Sequence, residues 1–152
     1  NRAMSPIMAA VYAANGQTGM VYTSSEGLDE MAPTGPVSIW EFSNGKVTES
    51  EFDPTMELGL DKVTVADLKG GEPELNAQLF RDFLAGKDVP FRTTALLNAA
   101  SAIVADGHQV PAEASLTERF KAAYAIAEET VDSGKASALL DQWITAAQSK
   151  KA

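Results

Sequence analysis

Three carboxylates fall within five residues at Glu26-Gly27-Leu28-Asp29-Glu30, shortly beyond the predicted strand that carries Met20-Val21-Tyr22. Oxygen donors so arranged suit a hard divalent cation. Mg²⁺ keeps several waters and typically takes one or two protein carboxylates together with substrate phosphate oxygens. The adjacent Asp29 and Glu30 therefore suit metal–phosphate handling better than a dehydrated cage of protein ligands. Carboxylates repel phosphate unless a cation lies between them, and Gly27 would let backbone come close to a ligand. The alternative is structural: acidic residues are common at surfaces, and these three would serve as solvated loop residues or favour the N-terminus of a following helix through its dipole.

Other positions offer less. Gly70-Gly71-Glu72-Pro73 precedes a helical pattern, where backbone NH groups could receive an anion. It lacks the lysine and full glycine spacing of a phosphate loop, and Glu72 opposes an anion, so a helix-start turn is the simpler reading. The single histidine, His108, has no Ser or Asp arrangement marking a triad and is expected at the surface. There is no cysteine, which removes disulfides and thiolate metal sites. Asn98, an amide inside Leu96-Leu97-Asn98-Ala99-Ala100, must find hydrogen-bond partners if buried and is expected to tie a loop to the core. Trp40, Phe42, Phe80, Phe83, Tyr124 and Trp143 lie on strand or helix stripes and are expected in the core.

The elements that would position these residues follow from periodicity and breakers. Ser5-Pro6 predicts a helix start, with Ser5 as N-cap, Pro6 at the first position, a helical run through Ala14 and Gly16 as the stop. A strand is predicted over Thr18 to Thr23, then a loop from Ser24 to Gly35. In open α/β sheets such a loop at a strand's carboxyl end is where ligands gather. Val37 to Phe42 and Lys46 to Phe52 form a hairpin around Asn44-Gly45. An irregular stretch runs to Leu60, followed by a helical turn from Thr64 to Lys69. Helices are then marked by Leu75, Leu79, Phe80, Phe83 and Leu84, and by Leu96, Leu97, Ile103 and Val104, the latter expected to be the most buried. A closing helical hairpin carries Leu116 to Val131 and Leu139 to Ile144, with a frayed polar end at Gln148-Ser149-Lys150-Lys151. The predicted fold is α/β, with a partial parallel sheet, a β-hairpin and a mostly helical C-terminal half.

The 152 residues are 45% hydrophobic, enough for one domain with a real core and no need of staples. A net charge of −9, with scattered basic residues, argues against nucleic acid. No apolar run approaches a membrane span, so a cytoplasmic location is expected. The opening Asn1-Arg2, without an initiator Met and close to a helical pattern, reads as a cut start, with a processed leader as the alternative.

Taken in order, the residues resemble anthranilate phosphoribosyltransferases. Val21 to Glu30 with Thr34-Gly35-Pro36, then Asp53-Pro54 with Gly59-Leu60, Asp67-Leu68-Lys69-Gly70-Gly71-Glu72-Pro73 with Asn76, Leu96-Leu97-Asn98-Ala99-Ala100 and Asp132-Ser133-Gly134-Lys135-Ala136 follow the family's order and spacing. The resemblance implies a nucleoside phosphorylase/phosphoribosyltransferase-like α/β domain. It also implies transfer of phosphoribosyl from phosphoribosyl pyrophosphate to the amino group of anthranilate in tryptophan biosynthesis, with Asp29 and Glu30 holding Mg²⁺ on the diphosphate. It makes residues 1–152 the C-terminal part of that domain. The helical domain and the glycine-rich diphosphate loop would lie upstream, the intact enzyme would be a homodimer without nucleic-acid or membrane partners, and the isolated chain would be inactive. Where many members have His-Gly before the acidic loop, this chain has Thr23-Ser24, so no role of that histidine carries over. A relative of pyrimidine nucleoside phosphorylases, or a non-catalytic interaction module, are the competing readings.

Overall fold

A computed structural model describes residues 2–111 and 113–150. In chain order the described elements are α1 Ser5–Ala14, β1 Gly19–Ser24, β2 Val37–Ser43, β3 Lys46–Phe52, α2 Pro54–Glu57, α3 Pro73–Leu84, α4 Arg92–Asp106, α5 Leu116–Asp132 and α6 Lys135–Ser149. The strands form one sheet in the order β1-β2-β3, with both pairs antiparallel. The α/β class, the hairpin and the helical C-terminal half stand as expected, but the parallel pairing does not. The reason is the connection: residues 25–36 contain no helix, and a parallel partner needs a crossover, whereas an antiparallel return needs only a loop. Between β2 and β3, Asn44 and Gly45 both take positive φ, 50° and 73°, the backbone that a two-residue hairpin of matching twist requires.

Alternation along β2 buries both faces of the sheet. Val37 and Ile39 point one way, into a cluster with Met31, Phe52, Leu97 and Phe120, and the Phe52 and Phe120 rings stack with centroids 4.5 Å apart. Trp40 and Phe42 point the other way, under Ala9 and Ala13 of α1. The sheet is thus sandwiched between α1 and the pair α4–α5. As expected, α4 is the most buried of the described helices, inserting Leu96, Leu97, Ala100 and Val104 together with Thr94 and Ser101.

Several local expectations need correction. Ser5 lies inside the first turn of α1 and does not cap it; its hydroxyl bonds the Thr23 hydroxyl at 2.7 Å, joining α1 to β1. Two of the six aromatics expected in the core are exposed, Phe80 at 44% and Trp143 at 72%. Their stripes are wider than the faces that pack, and α6 contributes Ala136 and Leu140 to the edge of the α3–α4–α5 cluster and buries no residue fully. On α1, Ile7, Met8 and Val11 remain exposed on the side away from the sheet, as does the N-cap residue Met4. The short α2 was not foreseen, because four residues are too few to show a period. At the polar C-terminal end Gln148 and Ser149 are helical, and Lys151 lies outside the described residues, as does Asn1. No helix among the described residues is long and apolar enough to cross a membrane.

Candidate metal–phosphate site

The acidic loop leaves β1 at Ser24 and is fixed at two points. On the near side, the Ser24 hydroxyl accepts the Leu28 amide at 2.9 Å and the Ser24 carbonyl accepts the Gly27 amide at 3.1 Å. Gly27 takes φ +77°, a left-handed turn that a side chain would oppose. On the far side, Asn98 of α4 grips Met31. Its Oδ1 accepts the Met31 amide at 3.1 Å, and its Nδ2 donates to the Met31 carbonyl at 2.9 Å. The expectation that Asn98 ties a loop to the core is met, and the loop is the acidic one. Past Met31 the chain is buried through Gly35, and the Pro33 carbonyl accepts the Val63 amide at 3.0 Å.

Asp29 and Glu30 are therefore two exposed residues displayed between two anchors. Among the described residues neither carboxylate makes a hydrogen bond or an ion pair with protein. No group of three or more His, Cys, Asp or Glu side chains gathers there for a metal. A cation at this loop would find at most two protein carboxylates and must complete its shell with water or substrate oxygens. That donor set fits Mg²⁺, which dehydrates reluctantly, and fits a caged Zn²⁺ or Ca²⁺ poorly. Beside the loop lies a cavity of about 630 Å³, walled by Leu28, Glu30, Lys69, Phe91, Thr94 and Asn98 among others. The Thr94 hydroxyl is buried in this wall without a hydrogen-bond partner among the described residues.

The other candidate positions are structural. The Gly71 amide is taken by Asn76 Oδ1 at 2.9 Å, and Asn76 Nδ2 returns a bond to the Gly71 carbonyl at 2.8 Å, so this amide is not open to an anion. A Cβ on Gly70 would stand 2.7 Å from Asn76 Oδ1, so any side chain there would have to displace the Asn76 amide. His108 is exposed, as expected. Asp53 caps α2, Asp67 closes the turn before α3 by accepting from Thr64, and Asp132 pairs with Arg92 at 2.8 Å to join α5 to α4. Sequence reasoning missed Tyr22, whose hydroxyl donates to Asn98 Oδ1 at 2.8 Å, and the bidentate Arg119–Glu41 pair at 2.6 and 2.8 Å linking α5 to β2. The hydrogen bonds from Arg119 to Glu41, working against burial, raise the arginine's pKa above its ordinary value. No sequence spacing marks pairs so far apart in the chain.

Residues 2–137 match the model of the glycosyl transferase family α/β domain. The chain belongs to that family. Among curated members, the anthranilate phosphoribosyltransferase of Arthrobacter sp. (strain FB24) is 46% identical over 144 residues, covering 95% of this chain and 40% of that protein. The crystal structure of anthranilate phosphoribosyltransferase from Thermus thermophilus superposes with a TM-score of 0.80 at 29% identity, over 95% of this chain and 40% of that one. The Saccharomyces cerevisiae enzyme in complex with PRPP and Mg shares the fold, with a TM-score of 0.82 at 23% identity, over 98% of this chain and 41% of that chain. This glycosyl transferase domain thus spans about 40% of the length of the curated relatives it matches. The antiparallel sheet and the acidic loop both lie inside the matched region.

Proposed function

We propose that this chain is the C-terminal part of the α/β domain of a cytoplasmic, homodimeric enzyme of tryptophan biosynthesis. The enzyme transfers phosphoribosyl from phosphoribosyl pyrophosphate to anthranilate. The observation that carries the reading is the pair Asp29–Glu30. Two unengaged carboxylates are held between the Ser24 and Asn98 anchors, in a chain 46% identical to an anthranilate phosphoribosyltransferase. Asp29 and Glu30 would hold Mg²⁺, which supplies positive charge to the diphosphate as it departs with the electron pair of the ribose C1–O bond. The anthranilate nitrogen bonds to C1 and gives up one of its two protons to solvent. The arylamine is neutral and already nucleophilic, so alignment counts for more than a strong base, and no residue of this chain is assigned as one. The Mg-bound yeast relative supports the metal assignment at the level of fold.

The test is to supply the full-length protein with phosphoribosyl pyrophosphate, Mg²⁺ and anthranilate and to follow loss of anthranilate fluorescence. Mg²⁺-dependent loss is expected. Phosphorolysis of thymidine or uridine without anthranilate transfer would move the protein to the pyrimidine nucleoside phosphorylases. Absence of both activities would favour an interaction module.

A further inference from the structure

Asn98 uses its whole hydrogen-bonding capacity. Oδ1 accepts from the Tyr22 hydroxyl at 2.8 Å and the Met31 amide at 3.1 Å, and Nδ2 donates to the carbonyls of Met31 at 2.9 Å and Thr94 at 2.7 Å. It thereby joins β1, α4 and the residue that immediately follows Glu30. From this geometry we infer that Asn98 is a positioning residue for the metal, with Tyr22 as its support. The inference rests on the proposed role of Asp29 and Glu30.

With Leu28 held by Ser24 and Met31 held by Asn98, only two residues lie between fixed points. Their backbone has few ways to span the gap, so their carboxylates are aimed before a cation arrives. Asn98 touches neither carboxylate and acts entirely through the backbone of Met31, which is fully buried. Without the amide, the Met31 N–H and C=O would be buried and unpaired, and the loop would shift to hydrate them. Few side chains can substitute. Aspartate would lack both donors and set a negative charge against two carbonyls, and leucine would offer nothing. Tyr22 makes one of the two bonds to Oδ1, so its loss should loosen the clamp only in part.

The experiment uses the full-length protein, with Mn²⁺ as a spectroscopic probe titrated by electron paramagnetic resonance in the presence of phosphoribosyl pyrophosphate. Hydrogen exchange of residues 28–32 is followed in parallel. Asn98→Ala is expected to weaken Mn²⁺ binding about tenfold, as the cost of leaving the buried Met31 N–H and C=O unpaired falls on the loop that presents the carboxylates. Exchange at the Met31 amide should speed up while the KM for anthranilate stays near wild type. Tyr22→Phe should weaken Mn²⁺ binding by about threefold, as one hydrogen bond warrants. A folded Asn98→Ala protein whose Mn²⁺ affinity stays within about twofold of wild type overturns the inference. If Asn98→Ala does not fold, Tyr22→Phe decides: unchanged Mn²⁺ binding and unchanged Met31 exchange also overturn it. Asp29→Asn with Glu30→Gln runs in the same titration. Should that pair retain Mn²⁺ binding, the metal reading fails and the clamp's role fails with it. Should that pair lose binding while Asn98→Ala does not, the clamp alone is wrong.

Discussion

A carboxylate has lone pairs enough to ligate a cation and accept a hydrogen bond as well, so a pair that makes no bond to protein is oriented by its backbone alone. Asp29 and Glu30 are such a pair, and the cost of orientation falls on their neighbours Gly27, Leu28 and Met31. Gly27 tests this at the level of one residue. Nothing stands within 4 Å of a Cβ built there, so Gly27→Ala would be penalised only by its φ of +77°. The expected cost is about 1–2 kcal/mol, concentrated in the loop. It should appear as a higher Mg²⁺ requirement for turnover in the full-length protein with little change in melting temperature, and an unchanged Mg²⁺ requirement would show that the turn is not needed. Part of this site was legible in the sequence. The acidic run stands out, and Asn98 stands out as a lone amide in an apolar segment that must be satisfied if buried. Tyr22 and Thr94 were not legible, since a tyrosine in a strand and a threonine in a helix carry no pattern that says which way they point.

At the scale of elements, local rules decided most of the outcome and tertiary geometry decided the rest. Asn44-Gly45 fixes its hairpin by backbone chemistry alone, and the helical stripes locate α3 to α6. The pairing direction of β1 was not readable, because it depends on whether the connection returns directly or crosses over. The short α2 owes its existence to its cap. Asp53 accepts the Thr55 amide at 2.9 Å and the Thr55 hydroxyl at 2.7 Å, and the Asp53 amide donates to Glu57 Oε1 at 3.1 Å. Burial pulls the Asp53 pKa upward, but the bonds from Thr55 and Met56 and the charge of Lys62 outweigh it and hold the folded value below 3.8. A depressed carboxylate stabilises the fold fully above its unfolded pKa and loses that contribution as pH falls through the folded value. Asp53→Ala should therefore cost about 1 kcal/mol near neutral pH. The difference from wild type in a denaturant titration should shrink once the pH drops below 3.8 and through the folded value. A gap that stays constant into strong acid would contradict the cap's ionic character.

At the scale of the molecule, one apolar core holds the loop's supports in register. The stacked Phe52 and Phe120 tie β3 to α5, in the same cluster that contains Met31 and Leu97. Phe120→Ala should cost about 3–5 kcal/mol, seen as a lower denaturant midpoint, because it leaves a cavity where both sheet and helix lose contact. On the proposed reading, a chain that spans about 40% of the curated relatives holds only part of the active site. Residues 1–152 expressed alone are accordingly expected to leave anthranilate fluorescence unchanged in the presence of phosphoribosyl pyrophosphate and Mg²⁺, and measurable turnover would show the chain self-sufficient. The measurement that bears most directly on function is Mg²⁺-dependent turnover of anthranilate by the full-length enzyme carrying Asp29→Asn and Glu30→Gln, with folding checked by its melting curve. On the proposed reading the two carboxylates hold one cation and should act as a unit, and a loss of at least about a hundredfold with the fold intact is predicted. Turnover within a few-fold of wild type, with the same Mg²⁺ dependence, would contradict the assignment of this loop as the metal–phosphate site.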